Sequence, residues 1–163
     1  MQFIILAAFF LDAYAFSTEG IIGFTVGRKN KISFLSVVRN SIQLSFFTAL
    51  IVSIFYVMFF KQIVNIITDI EILRSISYKY FIWIIIIPPV ASFCYQLDGI
   101  FIGASQTKEI RNAMIVSVLS FVGISIYLTS RFENHGLWFS LLLFMILRAL
   151  TLQFYFSKIL RKF

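Results

Sequence analysis

Residues 80–104 read YFIWIIIIPPVASFCYQLDGIFIGA, an apolar run that is long enough to cross a bilayer as a helix. Four further apolar stretches of helical length occur at residues 2–26, 40–60, 113–130 and 137–157. Because lipid offers no partners for backbone polar groups, these stretches are predicted to be α-helices and not open sheets. The sequence therefore predicts an all-α fold, a polytopic transmembrane helix bundle of about five spans in a single membrane domain, residues 1–163.

The composition excludes a water-soluble globule. Of 163 residues, 60% are hydrophobic and 13% are charged, whereas a soluble domain carries about 25% charged residues. Cys94 and His135 are the only residues of their types, so an internal disulfide and a zinc site are excluded, and we expect neither a metal nor a cofactor. The formal net charge of +7 is typical of loops held on the cytoplasmic face, so no nucleic-acid partner is expected.

The lysine and arginine residues are distributed unevenly between the two ends of the predicted spans. Nine lie in the first connection, the third connection and the C-terminal tail, and four lie in or next to the second and fourth connections. By the positive-inside rule, the side with nine is cytoplasmic, so the C-terminus faces the cytoplasm and the N-terminus faces the outside. We accordingly expect a multi-pass protein of the inner or plasma membrane, surrounded by membrane lipid.

The connection between the second and third spans carries an amphipathic pattern over residues 62–77. Isoleucine and leucine recur near helical spacing there, with Asp69, Glu71 and Arg74 between them. The pattern predicts a helix that lies in the interface at the outer side of the membrane. A helical extension of the neighbouring spans is the alternative.

Four ionisable side chains lie inside the predicted spans: Asp12, Glu19, Asp98 and Arg148. Each costs at least about 2.5 kcal/mol to insert, so such residues normally face other helices or water and are functional candidates. Asp12 and Glu19 are seven residues apart and therefore share one helix face. Glu19, Asp98 and Arg148 lie nine or ten residues from the nearest cytoplasmic basic residue, which predicts a common depth.

A common depth would let these groups form one charge network. Glu19 and Asp98 would then share Arg148 as a charge partner, and one proton or cation could be exchanged within the network. The structural alternative is a salt bridge that joins the first and last spans.

Glycines lie beside the acids in two of the spans. Gly23 and Gly27 continue the face of the first span that carries the two carboxylates, and Gly99 and Gly103 form a G-x-x-x-G next to Asp98. Small residues on a stripe let another helix approach closely, so close helix packing is predicted at all four glycines.

Two consecutive prolines, Pro88 and Pro89, lie near the middle of the third span. Each lacks a backbone N–H, so the carbonyls of Ile84 and Ile85 lose their usual helical partners. A helix kink is predicted there. Interrupted helices near the middle of the membrane are found in transporters, where the freed backbone groups contact substrates or ions.

Three short stretches resemble one known family. Residues 11–20 read LDAYAFSTEG, residues 97–104 read LDGIFIGA and residues 111–114 read RNAM. In order and spacing they resemble the C-terminal half of the MATE (multidrug and toxic compound extrusion) family, in its DinF-like branch. The resemblance extends to Leu147-Arg148-Ala149 in the last span and so covers nearly the whole chain.

The resemblance implies a transporter and not an enzyme. Members of the family have twelve helices in two lobes around a central cavity, and they export organic cations or drugs in exchange for protons or sodium. By resemblance, the chain is a partial C-terminal lobe with Asp98 as the ion-coupling candidate, Asp12 and Glu19 as cavity candidates and Arg148 as their partner. The first lobe is absent, so we expect either a fragment or a chain that pairs with a second polypeptide.

Other functions stay open at this point. A flippase for lipid-linked oligosaccharides of the same superfamily would need a more cationic cavity, whereas here the embedded acids outnumber the embedded arginine three to one. A membrane enzyme would need clustered metal ligands or a nucleophile with its base, which the sequence does not offer. A non-transporting membrane subunit, whose buried charges only select a partner, is the last alternative.

Overall fold

A computed structural model of the protein describes residues 2–163, and within this range it contains helices and no strand. The helices are α1 (Gln2–Gly27), α2 (Lys31–Ile67), α3 (Glu71–Lys79), α4 (Phe81–Gly103) and α5 (Thr107–Leu160). Four of them, α1, α2, α4 and α5, are long and apolar enough to cross a membrane. The predicted all-α transmembrane fold is confirmed.

Helix α5 is a hairpin of two arms, residues 107–132 and 134–160. The reversal occurs at Glu133, whose backbone lies in the left-handed region with φ 49°. The arms run antiparallel, and the ring centroids of Phe121 and Phe144 lie 5.8 Å apart across them. Five passes are therefore built from four long helices.

Helix α4 is the centre of the bundle. In its most apolar 18-residue stretch 61% of the residues are buried, compared with 11–22% in the other three long helices. It packs against α1, α2 and α5, and the C-terminal arm of α5 runs parallel to it. Trp83 at one end of α4 donates a hydrogen bond to His135 at 3.0 Å, and Lys162 donates to the carbonyl of Ala104 at the other end at 2.6 Å.

The proline pair lies inside a continuous helix. Helix α4 runs through Pro88 and Pro89, and the carbonyl of Ile85, which lacks its helical partner, accepts a hydrogen bond from Ser53 Oγ of α2 at 2.9 Å. Helix α2 thus supplies the donor that Pro89 removes. The kink itself stays a prediction.

Replacing Ser53 with alanine is expected to lower the free energy of unfolding by about 1 kcal/mol or more, because the partly buried Ile85 carbonyl would be left unpaired. Titration with sodium dodecyl sulfate in mixed micelles, followed by circular dichroism, measures this loss. Ser125→Ala is the matched control, since the hydroxyl of Ser125 makes an exposed hydrogen bond that goes only to Val122 of its own helix. Equal stability of the two variants would contradict the assignment.

The segment with the predicted interfacial helix is divided in the structure. Helix α2 continues to Ile67 and ends at Thr68, whose backbone is extended, and α3 starts at Glu71. Arg74 holds this corner, because its Nε donates to the Thr68 carbonyl at 2.9 Å and its Nη2 lies 3.2 Å from Asp69 Oδ1. None of the residues of α3 is buried. Its placement in the membrane interface stays a prediction.

Candidate functional site

The backbones of α1 and α4 touch at two glycines of α4. A Cβ atom added at Gly99 would lie 2.5 Å from the carbonyl oxygen of Ala15, and one added at Gly103 would clash with the carbonyl oxygen of Glu19. These contacts place α1 directly beside the end of α4 that carries Asp98. The other two glycines differ, because a Cβ at Gly23 would make an ordinary contact at 3.4 Å.

Gly27 does not take part in close packing among residues 2–163. A Cβ added there would meet nothing within 4 Å. The prediction of close packing at this glycine was therefore wrong for this part of the chain, since Gly27 is the last residue of α1 and lies beyond its contact with α4.

A cleft of about 270 Å³ opens over α4, between α1 and the C-terminal arm of α5. Its lining residues come from α1, α4 and α5: Asp12, Ala15, Phe16, Glu19, Tyr95, Asp98, Gly99, Ile102, Ile110 and Arg148. The four ionisable residues that the sequence places inside spans therefore meet in one cleft. Asp12 belongs to this cleft, although its position along α1 predicts a depth further from the other three.

An ion pair joins α4 to α5 inside the cleft. Arg148 Nη2 lies 2.8 Å from Asp98 Oδ2, and each side chain is 17% exposed. The contact is single, because Asp98 Oδ1 and Arg148 Nε are buried without a hydrogen-bond partner in the described chain. A bidentate pair would use both carboxylate oxygens. The alternative of a salt bridge between the first and last spans is wrong, since Arg148 pairs with the third span.

The other two carboxylates of the cleft have no counter-ion in the structure. Among residues 2–163, neither Asp12 nor Glu19 lies within 4.0 Å of a basic nitrogen. In the same range no group of three or more Asp, Glu, His or Cys side chains converges on a point where a metal ion could bind. The three carboxylates thus lie at separate points of the cleft wall and do not converge on one point. The cleft contains three carboxylates and one guanidinium.

A buried polar contact fixes α1 against α4 close to the cleft. Gln96 is fully buried, and Thr18 Oγ1 donates to its Oε1 at 2.9 Å. Thr18 also lies 2.8 Å from the carbonyl of Tyr14. Neither residue was predicted from the sequence, because a lone Gln or Thr in a span gives no signal comparable to that of a charge.

Tyr95 is the other functional candidate that sequence reasoning missed. It lines the cleft and precedes Asp98 by three residues, a spacing that places two side chains on the same helix face. That spacing is a signal that could have identified it. An aromatic ring next to carboxylates can contact a bound organic cation through its π face.

A larger cavity of about 400 Å³ lies elsewhere, between α2, α4 and α5. It is lined by apolar residues such as Phe46 and Pro89, and Gln153 is its single polar side chain. It holds no ionisable group and offers no chemistry beyond apolar contact. The acidic cleft is therefore the candidate site.

The long apolar helices, with ionisable side chains gathered in one cleft between them, are those of a polytopic membrane protein. The family model MatE matches residues 1–129, and the chain belongs to this family, as the resemblance predicts. Over 152 residues it is 32% identical to the DNA damage-inducible protein F of Escherichia coli strain K12, a match that covers 93% of this chain and 33% of that protein. The chain thus spans about a third of the length of this relative. No solved structure matches the chain.

Proposed function

We propose that the chain is part of a secondary active exporter that moves organic cations or drugs out of the cell in exchange for protons or sodium ions. The observation that supports this most strongly is the meeting of three carboxylates and one guanidinium in one cleft of an apolar bundle. Embedding such groups is costly, so they are retained where they act on an ion or a cargo. In this proposal Asp98 binds the coupling ion and the cationic cargo in turn, and Asp12 and Glu19 bind the cargo beside it.

Competition for shared carboxylates would couple the two flows. A proton or sodium ion on Asp98 weakens the attraction for a second cation, and a bound cargo weakens the attraction for the ion by the same factor. The excess of acids over the single arginine favours a cationic cargo over the pyrophosphate group of a lipid-linked sugar. No bond of the cargo is made or broken in this cycle.

We further propose that the protein lies in the inner or plasma membrane with its C-terminus in the cytoplasm. Alternating access requires two units that move against each other. A preceding N-terminal lobe or a second polypeptide would supply the other wall of the cleft. Among residues 2–163, the cleft is bordered by α1, α4 and α5.

Transport by the complete two-lobe protein in proteoliposomes tests the proposal. An outward gradient of tetraethylammonium is expected to drive proton or sodium movement in the opposite direction, and Asp98→Asn is expected to reduce this coupled flux by about tenfold or more. Asp69→Asn is the matched control, because the Asp69 side chain is fully exposed outside the cleft. Unchanged coupled flux in Asp98→Asn would exclude Asp98 from coupling.

Two other results would replace the proposal. Movement of a lipid-linked oligosaccharide without cation flux would indicate a flippase. An effect of charge-neutralising substitutions on assembly alone, with no flux of any kind in the unmodified protein, would indicate a non-transporting subunit.

A further inference from the structure

We infer that Arg148 is a tethered cation that holds the Asp98 carboxylate when the cleft is empty, and that a cationic cargo must displace its guanidinium from that carboxylate. The inference rests on the function proposed above and adds a specificity-determining residue to it. Arg148 would set how strongly a cargo must bind before it can take its place.

The position of Arg148 supports this role first. It is the single basic side chain among the residues that line the cleft. It reaches Asp98 from the C-terminal arm of α5, whereas Asp12 and Glu19 enter the same cleft from α1. An incoming cation therefore meets Asp12 and Glu19 as open carboxylates and Asp98 as an occupied one.

The geometry of the pair supports it second. The contact uses one oxygen and one nitrogen at 2.8 Å, while Asp98 Oδ1 and Arg148 Nε have no partner in the described chain. The interaction between a guanidinium and a carboxylate is strongest when it is bidentate, with two parallel N–H···O hydrogen bonds. The single contact makes this ion pair weaker than a bidentate one, so a competing cation can displace the guanidinium from Asp98.

The charge balance supports it third. With the guanidinium on Asp98, the cleft still holds two carboxylates, Asp12 and Glu19, that have no counter-ion among residues 2–163. When a cargo takes Asp98, the displaced guanidinium has other carboxylates in the same cleft to approach. Displacement therefore does not leave Arg148 as an isolated charge in an apolar region, which would be prohibitive.

Binding of tetraethylammonium to the complete two-lobe protein in lipid nanodiscs, measured by calorimetry, tests the inference. Arg148→Gln is expected to lower the Kd by about fivefold or more, because the competitor is removed. The effect is expected to be several-fold smaller in an Asp98→Asn background, where Arg148 competes only for Asp12 and Glu19, and both Asp98→Asn and Asp98→Asn/Arg148→Gln are expected to have a raised Kd. Arg131→Gln is the control, since Arg131 is exposed and lies over the Tyr127 ring, outside the cleft.

A second measurement uses the wild-type protein, so it does not depend on whether a variant folds. Phenylglyoxal reacts with free guanidinium groups, and modification at Arg148 can be followed by mass spectrometry of the digested chain. Addition of tetraethylammonium is expected to increase the modification rate at Arg148, because the cargo releases the side chain. A rate that stays the same or falls would overturn the tethered-cation role.

The failures of the two proposals can be told apart. If Arg148→Gln leaves the Kd unchanged or raises it, while Asp98→Asn still weakens binding, the role of Arg148 is overturned and the cation site stands. If Asp98→Asn, Asp12→Asn and Glu19→Gln each leave the Kd unchanged, the cation site itself is overturned, and the role of Arg148 fails with it.

Discussion

Gly103→Ala is expected to separate α1 from α4 and to lower the free energy of unfolding by about 3 kcal/mol, at the upper end of overpacking costs. The added methyl group would clash with the carbonyl oxygen of Glu19, which is backbone and cannot rotate away. Gly99→Ala is expected to destabilise the protein in the same way, because the new Cβ would lie 2.5 Å from the carbonyl oxygen of Ala15. Both changes would also move Glu19 away from Asp98, so cation binding should weaken together with stability.

Gly20→Ala is the matched control for these variants. It lies on α1, the partner helix of this contact, but a Cβ at this position meets nothing within 4 Å, so a small gain of stability is expected from the better helix former. Sodium dodecyl sulfate titration of the three variants in mixed micelles measures the difference. If Gly99→Ala and Gly103→Ala matched Gly20→Ala, the close contact of α1 and α4 would be refuted.

Asp98→Leu is expected to lower the free energy of unfolding by about 3 kcal/mol, the lower end of the cost of breaking a buried pair, because Arg148 would lose its contact with Asp98 and only Asp12 and Glu19 in the same cleft could partly compensate its charge. The Arg148 side chain is only 17% exposed, so water does little to replace the lost carboxylate. The double variant Asp98→Leu/Arg148→Met is expected to recover most of this loss, since no unpaired charge remains.

The same unfolding titration checks this second prediction, with Asp69→Leu as the control. The Asp69 side chain pairs with Arg74 while fully exposed, and breaking an exposed pair costs about 0–1 kcal/mol. A double variant as unstable as Asp98→Leu would show that the loss comes from packing and not from the uncompensated charge.

The fold could be predicted from the sequence wherever apolar length decides it. All five apolar stretches are helical, and the parallel course of α1 and α4 agrees with spans that alternate in direction. The ends of the helices could not be predicted in the same way. Helix α2 starts at Lys31 and ends at Ile67, because polar residues that end an apolar run do not end a helix; a change of backbone conformation such as that at Thr68 does.

The residues of the candidate site could be predicted, but not their pairing. Counting residues from the basic ends predicted one layer for Glu19, Asp98 and Arg148, and the structure places all three in one cleft. Which acid takes the guanidinium depends on the lateral order of the helices. Since α4 lies between α1 and α5, Asp98 is the acid that Arg148 contacts, and no single-sequence pattern encodes that order.

The central claim is that carboxylates in one cleft bind an organic cation and a coupling ion in turn. The Kd of tetraethylammonium for the complete protein, measured against pH and sodium concentration, tests it most directly. We predict that the Kd rises as protons or sodium ions are added, by up to about tenfold per pH unit if one proton competes, and that Asp98→Asn removes this dependence. A Kd that is independent of both pH and sodium would contradict the claim.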